Sequence, residues 1–366
     1  MLNLFILIIF CTILAFQIEK LSAGHDSILL AVKKNFAPKI LWVILLSALI
    51  LFSGLRTSYN DTSTYMHGFS ILDSNNMRFK MLFEAYGGFT LFQYLIKKFI
   101  STDPQALLIT SSIIVNVIFV WFFSKHSKNF GLTILSYFII GPYMFSMAGL
   151  KQILGIAISL FAIDNMLKGK YFKFVIFLLF AATFHPYIIC MFILPFLKNG
   201  LFDRKTIFTV FVAILLTSNL EFLLKLTSYI GKDYSVESLT DHTINPIRVI
   251  VESIPIFFLF ANKKLLQNSN NQILTLGGNM LLIKTILLAM GLFFNPIYFG
   301  RIASYFSCFA AITIPLMFDE ISTNERNRKL NIAAFYLLFI IYFILDMTKL
   351  GSISITTDLF RHISLF

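Results

Sequence analysis

Three basic side chains lie at the edges of long apolar segments, where a charged side chain is a candidate functional residue. Arg56 ends one such segment, and Lys151 and Arg301 begin two others, each after a glycine expected to break the chain, Gly149 or Gly300. The N-terminal end of a helix carries partial positive charge and free N–H groups, which favour anions such as phosphate. The three residues predict an anion site, although snorkelling of each side chain toward lipid headgroups explains its position equally well.

Two further residues could accept a proton. His185 precedes Pro186 between two short apolar segments, where a broken helix would expose its ring to a cavity. That ring suits proton transfer, and a packed core histidine is an equally good interpretation. Asp61, Tyr65 and Phe69 recur at four-residue spacing, so one helix face would present all three. Asn60 or Asp61 would be a natural N-cap of that helix.

The composition defines the class of protein that must position these residues. Of the 366 residues, 57% are hydrophobic and only 13% are charged, whereas soluble domains carry about 25% charged residues. A soluble enzyme and a disordered chain are both excluded. The net charge of +12 resides mostly in short loops between apolar segments, which membrane orientation requires, so we expect no nucleic-acid partner. The three cysteines lie in apolar segments without a CxxC spacing, and we expect no disulfide and no metal site.

We predict an all-α fold, with one integral membrane domain over residues 1–366. The domain is a polytopic helix bundle of about twelve membrane segments, some of them short or broken. The distribution of Lys and Arg places both termini outside the cytoplasm by the positive-inside rule. Outward-facing loops are expected to form a cavity. The candidate segments are 2–18, 40–56, 105–123, 130–147, 151–167, 171–184, 187–197, 206–220, 246–261, 272–294, 302–318 and 330–348.

The two largest outer loops are predicted over residues 57–104 and 221–245. In the first, Glu84 precedes a glycine turn and an amphipathic stretch with Lys97 and Lys98 near its end. That pattern is typical of a helix lying in the membrane interface. The second loop has acidic residues and a histidine and is expected to be a solvated face.

Four motifs in order resemble the EpsG family, which is similar to Wzy O-antigen and capsule polymerases. The resemblance extends over roughly residues 50–320. Two departures stand out: Lys151 replaces the usual arginine, and Ala-Tyr separates Glu84 from its glycines where the family usually has one residue. The motifs are Arg56-x4-Asp61-Thr62-x2-Tyr65-x3-Phe69, Gly149-Leu150-Lys151-Gln152 with its continuation to Ala157, Thr183-Phe184-His185, and Arg301-x3-Tyr305-Phe306 followed by Pro315.

The resemblance implies a multi-pass protein of the bacterial cytoplasmic (inner) membrane that polymerises undecaprenyl-diphosphate-linked oligosaccharide repeat units at the outer face. Such a glycosyltransferase would need no metal and no cofactor, and it would serve O-antigen, capsule or exopolysaccharide synthesis. Its catalytic residues would be His185, Asp61 and Arg301, with His185 or Asp61 accepting the proton of the acceptor hydroxyl. The residues expected to bind diphosphate or sugar are Arg56, Lys151, Gln152, Arg301, Tyr65, Glu84 and Tyr305.

Two alternatives stay open. One is another glycosyltransferase or ligase that uses a lipid-linked sugar. The other is a flippase or transporter of lipid-linked oligosaccharide, which should show internal repeats and binding charges near the membrane midplane. The unusual charges cluster near the outer edge except Lys284, whose partner the sequence does not identify. Besides the lipid-linked oligosaccharide, the expected partners are membrane lipid and a regulator of chain length.

Overall fold

The computed structural model describes residues 2–73, 84–198, 200–218, 244–293, 296–321, 324–349 and 356–357. Nearly all of the predicted outer loop 221–245, with its acidic residues, lies outside the described residues. The chain divides into two compact units. The first comprises Met1–Asn165, Tyr171–His185 and Phe343–Phe366, and the second comprises Met166–Lys170 and Pro186–Tyr342.

Among its described residues, the first unit has one short strand pair, and its other regular elements are helices. Strand β1 (Arg56–Ser58) pairs antiparallel with β2 (Thr356–Thr357). Its helices are α1 (Leu2–Leu21), α2 (Ile28–Lys34), α3 (Phe36–Gly54), α4 (Thr62–Ile71), α5 (Gly87–Phe99), α6 (Gln105–His126), α7 (Phe130–Ile139), α8 (Pro142–Ala148), α9 (Leu150–Leu167), which ends at the boundary between the units, and α10 (Tyr171–Phe184).

Small polar residues join the apolar helices α3 and α6 in the first unit. The Ser53 and Ser112 hydroxyls lie 2.5 Å apart, and the Asn116 side-chain amide donates to Ser53 Oγ at 3.2 Å. Between apolar helices such contacts replace the water that would otherwise satisfy these groups, and small side chains let the helix backbones approach closely. Helix α3 is thus hydrogen-bonded to α6 at its last turn, just before the chain continues to Arg56.

The longer segment of the second unit, Pro186–Tyr342, begins with a 3-10 helix, Pro186–Ile193. The Asn279 amide nitrogen in this unit donates to the carbonyl oxygens of Leu197 and Gly200 at 2.7 and 2.8 Å, and its amide oxygen accepts the Phe202 N–H at 2.9 Å. The helices are α11 (Leu194–Leu197), α12 (Arg204–Ser218), α13 (Pro246–Ala261), α14 (Lys263–Asn268), α15 (Gln272–Met290), α16 (Pro296–Ser307), α17 (Ala310–Ile321) and α18 (Glu325–Lys349), of which the part from Phe343 onward belongs to the first unit.

Six helices of the described residues are long and apolar enough to cross a membrane, or eight if each of two bent pairs is one span. The bent pairs are Phe130–Ile139 with Pro142–Ala148, at 44°, and Tyr298–Ser307 with Ala310–Ile321, at 52°. Helix Tyr171–Phe184 is shorter, and its 14 residues rise only about 21 Å at 1.5 Å per residue. The all-α membrane bundle is thus confirmed, but the predicted number of about twelve segments is not.

Proline and glycine account for two predicted breaks. Helix α10 ends at Phe184, and the 3-10 helix begins at Pro186, because a proline lacks an N–H and disfavours helical geometry in the residue before it. Helix α8 ends before Gly149 and α9 begins after it. Both predicted breaks are confirmed, and Lys151 lies in the first turn of α9.

The predicted break at Gly300 is wrong. Helix α16 begins at Pro296 and continues through Gly300 to Ser307. Proline is favoured at the first position of a helix, whereas one glycine inside a helix costs only about 1 kcal/mol. Arg301 therefore lies in the second turn of α16, beyond the free N–H groups at its start.

Candidate functional site

Lys151 lies against two aromatic rings. Its ammonium nitrogen Nζ is 4.7 Å from the centroid of the Tyr86 ring and 5.4 Å from that of Phe89. Within the described part of the chain, no carboxylate lies in salt-bridge distance of this half-buried side chain. Gln152, the next residue, is buried. An aromatic face attracts a cation without cancelling its charge, so the contacts with Tyr86 and Phe89 leave the Lys151 ammonium able to pair with an anion.

His185 contacts the same tyrosine. The imidazole and the Tyr86 ring have centroids 5.4 Å apart and planes at 69°. The His185 side chain is only 6% exposed, and its backbone N–H donates to the Ala181 carbonyl at 3.2 Å. The predicted proton acceptor and the predicted cation Lys151 therefore share one ring as a neighbour, and their separation cannot exceed the sum of their distances to it.

Tyr86 lies in a tight turn, and the sequence alone does not indicate that its side chain belongs to the site. Tyr86 has a left-handed backbone, φ +66°, and immediately precedes α5. Gly88 then lies so close to α10 that an added Cβ would be 2.1 Å from Thr183 Oγ1. The Glu84 side chain is exposed, and its carbonyl accepts the Gly87 N–H at 3.0 Å. The glycine pair indicated a tight turn, but nothing in the sequence pointed to the tyrosine before it.

Asp61 stands immediately before α4 as expected, but its side chain does not cap the helix. No cap hydrogen bond forms, because the backbone of Asp61 (φ −79°, ψ 13°) is not in the extended conformation that a capping side chain needs. The Thr62 hydroxyl instead donates to the Tyr59 carbonyl at 2.5 Å. The exposed Asp61 carboxylate is thus not consumed by capping. One and two turns on, Tyr65 is half-buried and Phe69 fully buried.

Tyr65 extends the group of rings around Lys151. Its ring lies 6.0 Å from that of Phe89 in an edge-to-face arrangement at 68°, a favoured geometry for aromatic pairs. The site therefore brings together residues from four elements, which are α4, the start of α5, the start of α9 and the end of α10. We refer to Tyr65, Tyr86, Phe89, Lys151 and His185 as the Lys151 cluster.

Arg56 is a buried residue that links three segments of the first unit by hydrogen bonds. Its side chain is 1% exposed, and its guanidinium donates to Thr62 Oγ1 at 3.1 Å, to the Ser53 carbonyl and to the Met147 carbonyl at 3.1 Å. Burial lowers the pKa of Arg56 to about 10, so it is a cation at neutral pH. Because Met147 lies in the last turn of α8, shortly before Lys151, Arg56 helps to fix the place where α9 starts. A direct contact between Arg56 and a diphosphate stays a prediction.

Lys97 is also engaged with backbone carbonyls, and an interfacial position of α5 stays a prediction. Its ammonium donates to the carbonyls of Phe69, Ser70 and Leu72 at 2.9, 2.8 and 2.8 Å. Carbonyls at the end of a helix are otherwise without intrahelical donors. Lys97 therefore ties α5 to the end of α4, so two elements that carry the Lys151 cluster are joined at their far ends.

The second unit contains the remaining predicted residues. Arg301 is half-buried on α16, and Tyr305, one turn later, is completely buried. Lys284 is nearly buried, and its ammonium lies 2.8 Å from Glu252, which also accepts a hydrogen bond from Arg248 at 2.7 Å. The partner of Lys284 that the sequence left open is thus Glu252. A cluster of Arg301 with the two cations of the first unit stays a prediction.

Comparison with known families gives a match over residues 39–357, which includes every site residue named above. The matching model is that of the EpsG family. No curated protein and no solved structure matches the chain.

Proposed function

Because this chain belongs to the EpsG family, we propose that it is a membrane glycosyltransferase that polymerises lipid-linked oligosaccharide repeat units. The donor is a growing chain on undecaprenyl diphosphate, and the acceptor is a hydroxyl of a new lipid-linked unit. The reaction takes place at the outer face of the bacterial cytoplasmic membrane and supplies O-antigen, capsule or exopolysaccharide.

In the proposed reaction, one bond to the anomeric carbon of the donor sugar is exchanged for another. The bond from that carbon to the diphosphate oxygen breaks, and its electron pair leaves with the diphosphate. The acceptor hydroxyl oxygen forms the new glycosidic bond, and its proton passes to a base. Catalysis then requires a positive charge near the departing oxygen and a proton acceptor near the hydroxyl.

The observation that carries the proposal is the position of the Lys151 ammonium against two aromatic rings. Among the residues that the structure describes, this half-buried ammonium contacts these rings and no carboxylate, so it is suited to a ligand that brings its own negative charge. Its place in the first turn of α9 adds the free N–H groups and partial positive charge of a helix start. Lysine acts here as a point charge, without the planar fork of arginine.

His185 is the proposed base, since it reaches the same ring as Lys151. Asp61, whose exposed carboxylate does not cap its helix, is the alternative base. Arg301 is also proposed to bind the diphosphate, and Gln152, Tyr65, Glu84 and Tyr305 to contact the substrate.

The alternatives differ from this proposal in the acceptor or in the process. Another lipid-linked-sugar transferase or ligase would use the same diphosphate chemistry with a different acceptor. A flippase would bind anionic substrate through charges inside the membrane. Lys284, the residue that would have favoured a flippase, is paired with Glu252, so polymerisation is the better-supported function.

The proposal is tested by the surface polysaccharide of a deletion strain complemented with variants. Lys151→Ala should remove long chains and leave single repeat units, since loss of one group that stabilises departing charge costs roughly 100-fold in rate. Lys98→Ala is the matched control, because Lys98 is an exposed lysine that also contacts aromatic rings. His185→Gln should slow polymerisation at normal protein abundance. Normal chain-length ladders from Lys151→Ala at normal abundance would overturn the assignment.

A further inference from the structure

We propose that Tyr86 is a positioning residue, which holds Lys151 and His185 at a fixed separation by contacting both with one ring. The inference rests on the proposed function, since it assigns a role within the same site. The ring lies 4.7 Å from Lys151 Nζ and 5.4 Å from the His185 centroid. In the reaction, Lys151 faces the diphosphate and His185 faces the acceptor hydroxyl, so their separation must match the distance between the departing and attacking oxygens.

The first argument is that the ring orients a flexible cation without neutralising it. Lysine has a long side chain with many rotamers, and holding it in one of them costs entropy. A carboxylate partner would hold Lys151 but would cancel the charge that the diphosphate needs. The faces of Tyr86 and Phe89 restrict the ammonium and leave its charge intact.

The second argument comes from the backbone of Tyr86. A left-handed φ of +66° is unfavourable for a bulky residue, whereas glycine and asparagine adopt it readily. The turn itself is fixed by other groups, because the Gly87 and Thr90 N–H groups donate to the carbonyls of Glu84 and Tyr86 at 3.0 Å each. What the tyrosine adds at this position is therefore its ring, and the chain accepts an unfavourable conformation in order to place it.

The backbone gives an unusually clean variant. Tyr86→Asn removes the ring but favours the left-handed turn, so it should fold at least as well as the natural protein. Tyr86→Phe keeps the ring and both of its contacts. Tyr94→Leu is the matched control for Tyr86→Leu, because Tyr94 lies on α5, the helix that Tyr86 precedes, with its ring 5.4 Å from another lysine, Lys98.

The experiment uses the full-length protein in lipid nanodiscs and the undecaprenyl-diphosphate-linked repeat unit that accumulates in a polymerase-deletion strain. We expect Tyr86→Asn and Tyr86→Leu to lower kcat roughly 100-fold, the loss expected when a catalytic group moves by about 1 Å. Tyr86→Phe should retain most of the activity, and Tyr94→Leu all of it. The thermal unfolding temperature of Tyr86→Asn should be equal to or higher than that of the natural protein.

A double-mutant cycle separates positioning from general packing. If Tyr86 acts through Lys151, its replacement should cost much less activity in the Lys151→Ala background than in the natural protein. Equal losses in both backgrounds would overturn the inference, as would full activity of Tyr86→Asn. The proposed function itself fails in a different way, which is that the natural protein does not extend the lipid-linked unit at all.

Discussion

Replacement of Arg56 should destabilise the protein rather than remove a substrate contact alone. The guanidinium donates to the carbonyls of Ser53 and Met147 and to the Thr62 hydroxyl, and it is almost fully buried. Hydrogen bonds from a charged donor contribute about 1.5–3 kcal/mol each. Because such contributions are not additive, we expect Arg56→Ala to lower the free energy of unfolding by about 4 kcal/mol, near the cost of breaking a buried charged network.

The free energy of unfolding of Arg56→Lys should lie between those of Arg56→Ala and the natural protein. A lysine keeps the positive charge but loses the planar fork that reaches acceptors on different elements. We expect a loss of about 2 kcal/mol, equivalent to one charged hydrogen bond. The assay is thermal and denaturant unfolding of the detergent-purified protein, followed by size-exclusion chromatography. Lys98→Ala, an exposed replacement, serves as the control and should unfold like the natural protein.

The opposite result would refute the reasoning. If Arg56→Ala unfolds like the natural protein and yet loses long polysaccharide, then Arg56 contacts substrate and does not stabilise the fold. If Arg56→Ala changes neither stability nor polymer, the hydrogen bonds to Ser53 and Met147 contribute nothing. We expect both lower protein abundance and lower polymerisation activity, since the hydrogen bond from Arg56 to Met147 helps to fix where α9 and its Lys151 begin.

Three other replacements have structural consequences that can be measured. Glu252→Gln leaves the buried Lys284 without its carboxylate and should cost about 3–5 kcal/mol of unfolding free energy. Gly88→Ala places a Cβ against Thr183 and should cost about 1–3 kcal/mol by overpacking. Asn279→Leu removes the side-chain amide that binds the loop 197–202. It should cost about 1–3 kcal/mol for the carbonyls left unpaired and speed trypsin cleavage in that loop.

Each of these has a discriminating control. Lys284→Met combined with Glu252→Gln should recover stability, because the ammonium that Glu252→Gln leaves unpaired is then removed; no recovery would contradict the assigned pair. Gly68→Ala, where an added Cβ meets no neighbour, should not share the loss of Gly88→Ala. For Asn279→Leu, unchanged protease sensitivity would show that the loop is held by other groups.

The helix ends were predictable where backbone chemistry decides them. Pro186 ends α10 and Gly149 separates α8 from α9, since the constraint lies in the residue itself. Gly141, with φ +102°, is followed by a proline and explains the bend between α7 and α8; this Gly-Pro pair is visible in the sequence. At Gly300 the local rule failed because Pro296 had already started the helix.

The partners of the charged side chains were not predictable, because they come from distant parts of the chain. Arg56 was interpreted as a diphosphate ligand, but it reaches the Met147 carbonyl, 91 residues away. Lys284 is paired with Glu252 across two helices. Tyr86 could not be found from local propensity, since tyrosine is unfavourable in a left-handed turn. What the sequence did supply was the pair Lys151 and His185, which the fold brings to one ring.

The most direct test of the account is the stoichiometry of the reaction in proteoliposomes that contain only the purified protein and the undecaprenyl-diphosphate-linked repeat unit. We predict that one undecaprenyl diphosphate is released for each glycosidic linkage formed, and that Lys151→Ala slows both events together by roughly 100-fold. Movement of the lipid-linked unit across the membrane without release of lipid diphosphate, or linkage formation that proceeds undiminished in Lys151→Ala, would contradict it.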